Sequence, residues 1–193
     1  MGYEKFVLAG GDKSALISVK NALTATGYTY IGYTKELSNV LRLIRKYTPN
    51  LIIIDIKRNF RKLRETLNII DEELLCGCIL ILENRDEEII NFLKESRILT
   101  YVVKPVFDEN ILQITEISVI NYYRVLEYEK KLKKLNETLE SRKIVEKAKW
   151  ILVEENGLSE AEAYETIQKK SRDSRMPMKN IAEALILTGG MRR

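Results

Sequence analysis

The 193-residue sequence contains no histidine. That removes the usual general base at neutral pH, the commonest metal ligand and the habitual partner of a nucleophilic Ser or Cys, so an enzyme is not expected. Cysteine is nearly as scarce, with only Cys76 and Cys78. They are expected on opposite faces of a strand, poorly placed to pair or to hold one metal, which leaves two buried thiols in a reducing compartment. No apolar run approaches the roughly 18 residues of a membrane span, and no basic and apolar leader opens the chain. A cytoplasmic protein with no membrane partner is the expectation.

Proline and glycine are sparse and unevenly placed. From Glu109 to about Val153 neither occurs, and Val125, Tyr128, Leu132, Leu135 and Leu139 step by three and four as a heptad seam does. The spacing predicts a long helix entering a coiled coil. In a parallel pair in register, Arg124 at a g position faces Glu129 of the partner subunit at e.

Charge follows the same division. Residues 1–120 hold 16 Lys and Arg against 16 Asp and Glu, whereas residues 121–193 hold 16 against 12. The whole net charge of +4 lies in the last third, which points to a polyanionic partner there.

From Lys5 to Pro105 short apolar runs alternate with helical patterns. "LIII" and "CILIL" are nearly unbroken, as strands buried on both faces are. The repeated order predicts a doubly wound parallel α/β sheet. Polar groups then collect at the carboxyl ends of the strands: Gly10, Gly11 and Asp12 after the first, Asp55 after the third, Glu83 after the fourth, Lys104 and Pro105 after the fifth. "AGGDKS" lacks both the spacing and the Gly-Lys pair of a nucleotide-binding loop.

Past the heptads, about Ser141 to Thr188 reads as three short helices. Gly157 is a helix stop, Ser159 an N-cap and Pro177 a first-turn residue. Arg142, Lys143, Lys147 and Lys149 fall within two turns, beside an apolar stripe of Ile144, Ala148, Ile151 and Leu152. Lys169, Lys170, Arg172 and Arg175 make a second basic group, with Lys179 nearby. Glu146 stands at helical spacing to neutralise Lys143 or Lys149. Trp150 and Tyr164 are candidates for stacking on bases, with the core the preferred place for Tyr164.

"NLIIID" ending at Asp55, with Lys104-Pro105 after "ILTYVV", resembles a two-component receiver domain of five parallel strands. That resemblance implies Asp55 as the phosphoacceptor position, Lys104 as a contact to the phosphoryl group and a cis peptide before Pro105. Receivers also place an acidic pair after the first strand to hold Mg²⁺ and a Ser or Thr after the fourth. Here stand Gly10 and Gly11, with Asp12 alone acidic, and Glu83. The glycine pair therefore reads as an emptied metal site and the pocket as a poor magnesium site, with no cofactor expected. Glu83 is positioned to pair with Lys104 as a fixed substitute for the phosphorylated state.

"SRKIVEKAK", "GLSEAEAYETI" and "IAEAL", in that order between Leu135 and Thr188, resemble the ANTAR domain, an RNA-binding antitermination module. The chain departs from the family at Trp150, at Ile167-Gln168 and at Arg172. The resemblance implies binding to paired hairpins of a leader transcript. The expected organisation is a pseudo-receiver at 1–120, a coiled-coil linker helix at 121–140 and the ANTAR module at 141–193. Expected partners are RNA, a second copy of the chain and a sensor kinase or sequestering protein. Two alternatives stay open: a phosphorylation-switched regulator using Asp55, and a protein-interaction adaptor that binds no RNA.

Overall fold

The computed structural model describes residues 4–11, 16–56 and 60–189. The chain divides into two compact units, 1–128 and 129–193, and the division falls inside the expected linker segment.

In the first unit β1 (Lys5–Gly10), β2 (Thr29–Thr34), β3 (Leu51–Ile56), β4 (Gly77–Leu82) and β5 (Leu99–Val103) form one parallel sheet in the order β2-β1-β3-β4-β5. Helices α1 (Ile17–Ala25), α2 (Val40–Tyr47), α3 (Phe60–Glu72) and α4 (Glu87–Glu95) connect the strands, and α5 (Asp108–Asn156) follows β5. Strand alternation sorts the apolar runs onto two cores. Ile52, Ile54, Cys78 and Leu80 pack with Ile44, Leu63, Leu67 and Ile89 of α2, α3 and α4. Leu51, Ile53, Ile79 and Ile81 pack on the other side with Val19 and Leu23 of α1 and Ile111 of α5. Both faces being covered, β3 and β4 are buried along their whole length, as the unbroken runs predict.

The expectation for the cysteines is corrected. Residues two apart in extended chain share a face, and Cys76, just before β4, and Cys78 within it lie in the same core, free and buried. Burial pushes the Cys76 thiol up to about 12 and the Cys78 thiol well above its ordinary value. Since the thiolate is the reactive form, neither is expected to react with a disulfide reagent at pH 8 until the chain is unfolded. Release of the chromophore from the native protein would contradict this.

Helix α5 is a single helix of 49 residues. The first of the three expected short helices is therefore its C-terminal part, not a separate element. Gly157, with φ of +67°, stops it, its N–H donating to the Val153 carbonyl at 3.1 Å. Helix α6 (Glu160–Ser174) begins with a capping box, in which Ser159 and Glu162 satisfy each other's backbone N–H groups. Arg175 ends α6 in a left-handed conformation, and α7 (Met178–Gly189) starts directly after Pro177. The second unit closes on Val145, Ala148, Leu152, Ala163, Ile167 and Ala182. Val145 belongs to this core although the stripe expected from the sequence omits it, whereas Ile151 of that stripe is not among its buried members. No helix among the described residues is long and apolar enough to cross a membrane.

Candidate functional site

The parallel register brings the strand ends together, Gly10 beside Asp55 and Asp55 beside Ile81. Asp55 is 2% exposed. The Lys104 Nζ lies 3.0 Å from Asp55 Oδ1, donates to Oδ2 at 3.2 Å, and donates to Glu83 Oε1 at 2.6 Å. Oδ1 has this ion contact but no directed hydrogen bond. Burial pulls the Lys104 pKa down, but hydrogen bonds to Glu83 and Asp55, with their charges, outweigh it and hold the ammonium above its ordinary value. The Lys104-Pro105 peptide is cis. A pocket of about 450 Å³ opens beside Asp55, lined also by Leu16, Ser18, Val19, Ile81, Lys104, Pro105 and Val106.

These three side chains carry a net charge of −1, and the cation that would meet a phosphoryl group is already held by two carboxylates. A dianion placed here faces Glu83 at short range, and like charges in a partly buried site repel strongly. The glycine pair has a second meaning beyond missing carboxylates. Gly10 and Gly11 have φ of +70° and +56°, and a Cβ on Gly11 would overlap the Asp55 carboxylate, while one on Gly10 would overlap the Asp55 carbonyl oxygen. The backbone itself closes on Asp55, an approach only glycine permits. The donor set among the described residues does not fit a magnesium ion: the glycines offer no side-chain ligand, and an ammonium bridges the two carboxylates. Asp12 lies outside the described residues.

In the second unit the basic residues separate into two kinds. Lys143 pairs with Glu140 at 2.8 Å. Lys149 pairs with Glu146 at 2.7 Å and with Glu160 of α6 at 3.0 Å, its side chain only 12% exposed. Hydrogen bonds that it donates to Glu146 and Glu160 raise its pKa above the ordinary value. Lys149 thus ties α5 to α6 through Glu160, eleven residues away on another helix, besides its pair with Glu146 on its own helix. Arg142, Lys147, Lys169, Lys170, Arg172 and Arg175 are exposed and form no ion pair among the described residues.

A groove of about 540 Å³ lies in this unit, lined by Thr138, Ser141, Arg142, Val145 and Glu146 of α5, Tyr164 of α6, and Pro177, Met178 and Lys179. Tyr164 is 44% exposed on its wall rather than in the core, and Trp150 is 53% exposed. Sequence reasoning missed the contribution of Thr138, Ser141 and Met178. The available signal was position: Thr138 stands one turn before Arg142, Ser141 directly beside it, and Met178 just after Pro177.

Of the seam residues, Tyr128, Leu132, Leu135 and Leu139 are exposed, whereas Val125 packs against the sheet core of its own unit. Every residue from 131 to 140 is exposed. Ile117 and Ile120, earlier on α5, are exposed as well and were not expected in the seam.

Residues 133–186 match the ANTAR domain family. The chain is similar over its length to the transcriptional regulatory protein PdtaR of Mycobacterium tuberculosis, 25% identical over 185 residues that cover 95% of this chain and 90% of that protein. Its fold resembles a CheY-like receiver domain of Methanospirillum hungatei JF-1, with a TM-score of 0.54, 20% identity and coverage of 64% of this chain and 98% of the other. It resembles the signal receiver domain of the response regulator NarL from Mycobacterium tuberculosis at a TM-score of 0.51, with 15% identity and coverage of 60% and 95%. The first unit thus has the fold of solved receiver domains, and residues 133–186 in the second match the ANTAR domain family, the two resemblances that the sequence carries.

Proposed function

We propose that this protein binds hairpins of a leader transcript as a dimer and prevents transcription termination, without phosphoryl transfer to Asp55. Antitermination through RNA is the function of the ANTAR family at large, and its match here is a compact helical unit. The observation that carries the reading is the set of exposed cations on that unit with no ion-pair partner among the described residues, Arg142 and Lys147 on α5 and Lys169, Lys170, Arg172 and Arg175 at the end of α6. A phosphate backbone releases counterions when such groups meet it, which supplies affinity without sequence.

The dimer rests on α5. Leu132, Leu135 and Leu139 are about half exposed on a segment whose other residues are polar or charged. A second copy in parallel register buries them as knobs in holes. Two modules on one dimer then engage two hairpins, the second at high effective concentration. The strand-end pocket supports constitutive action, because Glu83 already occupies Lys104. Regulation then falls to a protein partner that sequesters the dimer.

The test is a filter-binding titration with no phosphodonor present, using a two-hairpin leader RNA, a one-hairpin RNA and a matched duplex DNA. Tighter binding to two hairpins, weakening steeply with salt, is the expected result. Equal binding to RNA and DNA would favour an adaptor that works through protein contacts.

A further inference from the structure

Resting on the RNA reading above, we infer that the groove of the second unit is a pocket for one unstacked nucleobase from a hairpin loop, with Tyr164 as its stacking platform. Cations on the helix surface explain attraction to any polyanion. They do not explain why an aromatic residue stands 44% exposed in the lining of a groove that Val145, Pro177 and Met178 also line.

The groove combines what a base needs and what a bare phosphate or an apolar peptide does not. Val145, Pro177 and Met178 supply apolar surface and Tyr164 a π-face. Arg142, which has no carboxylate partner among the described residues, supplies a charge for the nucleotide's phosphate. Glu146, fixed by its 2.7 Å pair with Lys149, is an acceptor for base N–H groups and repels phosphate. A peptide of apolar side chains would leave Arg142 and Glu146 desolvated without partners, at a cost.

At about 540 Å³ the groove is of small-molecule size, within the roughly 300–1,000 Å³ of ordinary ligand pockets. A paired base cannot enter it. In double-stranded RNA the bases are stacked and their edges inaccessible in the deep groove, whereas loop bases splay out and stack on aromatic side chains. The groove thus gives the unit a reason to prefer a looped hairpin over a duplex.

The test uses the full chain and stem-loop RNAs of identical stem, one with an all-adenosine loop, one with an all-guanosine loop and one with an abasic loop. The phosphates are the same in all, so any difference reports the bases. Stacking loss on alanine substitution is worth about tenfold or more in affinity, and at least one base-bearing loop is expected to bind that much more tightly than the abasic loop.

Tyr164→Phe keeps this preference. Tyr164→Ala removes it and leaves the salt dependence of binding in place. Tyr164→Leu serves as the second variant, since it keeps apolar bulk against the groove but has no ring, and circular dichroism melts verify that each variant is folded. Equal binding of base-bearing and abasic loops by the wild type, or an undiminished preference in folded Tyr164→Leu, overturns the pocket while the RNA reading stands. Absence of binding to every RNA overturns both.

Discussion

The double substitution Leu132→Lys, Leu135→Lys is expected to convert the protein to a monomer in sedimentation velocity at all accessible concentrations. In a parallel pair it removes four leucines from the seam and introduces four ammonium groups. At about 1.5 kcal/mol or more for each buried leucine, the loss exceeds about 6 kcal/mol, or about four orders of magnitude in Kd. Neither residue belongs to the core of the second unit, so its melting is expected to stay close to wild type. The monomer keeps its affinity for a single hairpin and loses the advantage of two, because that advantage comes from linkage. A dimer that survives the double substitution would place the interface elsewhere, for instance on the exposed Ile117 and Ile120.

Lys104→Met is expected to destabilise the first unit by about 3 kcal/mol in a denaturant titration, because removal of one member of a buried ion pair strands the other. Asp55 has a side chain only 1% exposed, and among the described residues its ion-pair partner is Lys104. Adding Asp55→Asn to Lys104→Met should recover most of the loss, since an amide in an apolar pocket costs far less than an uncompensated carboxylate.

Glu83 is half exposed, so Glu83→Gln costs no more than about 1 kcal/mol. The pH dependence follows in sign from Lys104, whose pKa in the folded protein lies above its ordinary 10.5. A raised pKa on a cation stabilises fully below the unfolded value, and the contribution disappears as the pH climbs through the folded value. The gap between wild type and Lys104→Met is therefore constant with respect to Lys104 at neutral pH and closes only above pH 10.5. A gap absent at pH 7 would show that the ammonium does not sustain Asp55.

Much of the fold is written in spacing. Unbroken apolar runs at β3 and β4 encode burial on both faces, the proline-free and glycine-free stretch after Glu109 encodes one long helix, and Ser159 with Glu162 encodes a helix start. These are local signals, each read within a few residues. The misplaced cysteine faces came from misjudging period two, and the missing break before Ser141 from expecting separate helices where nothing interrupts the chain. Exposure of Tyr164 was not legible, since an aromatic residue at helical spacing looks the same in sequence whether its face meets the core or a groove.

What the sequence determined alone was the order of the strands and helices, the polar residues at the strand ends, and the absence of histidine chemistry. Periodicity and backbone conformation depend on neighbours in the chain. Only the tertiary structure decided that Lys104 reaches both Asp55 and Glu83, that the Gly10-Gly11 backbone closes on Asp55, and that Lys149 is captured by Glu160. Each is a contact between separate elements, set by sheet register and helix packing to within an ångström, and at that scale a shift of one residue exchanges a partner for solvent.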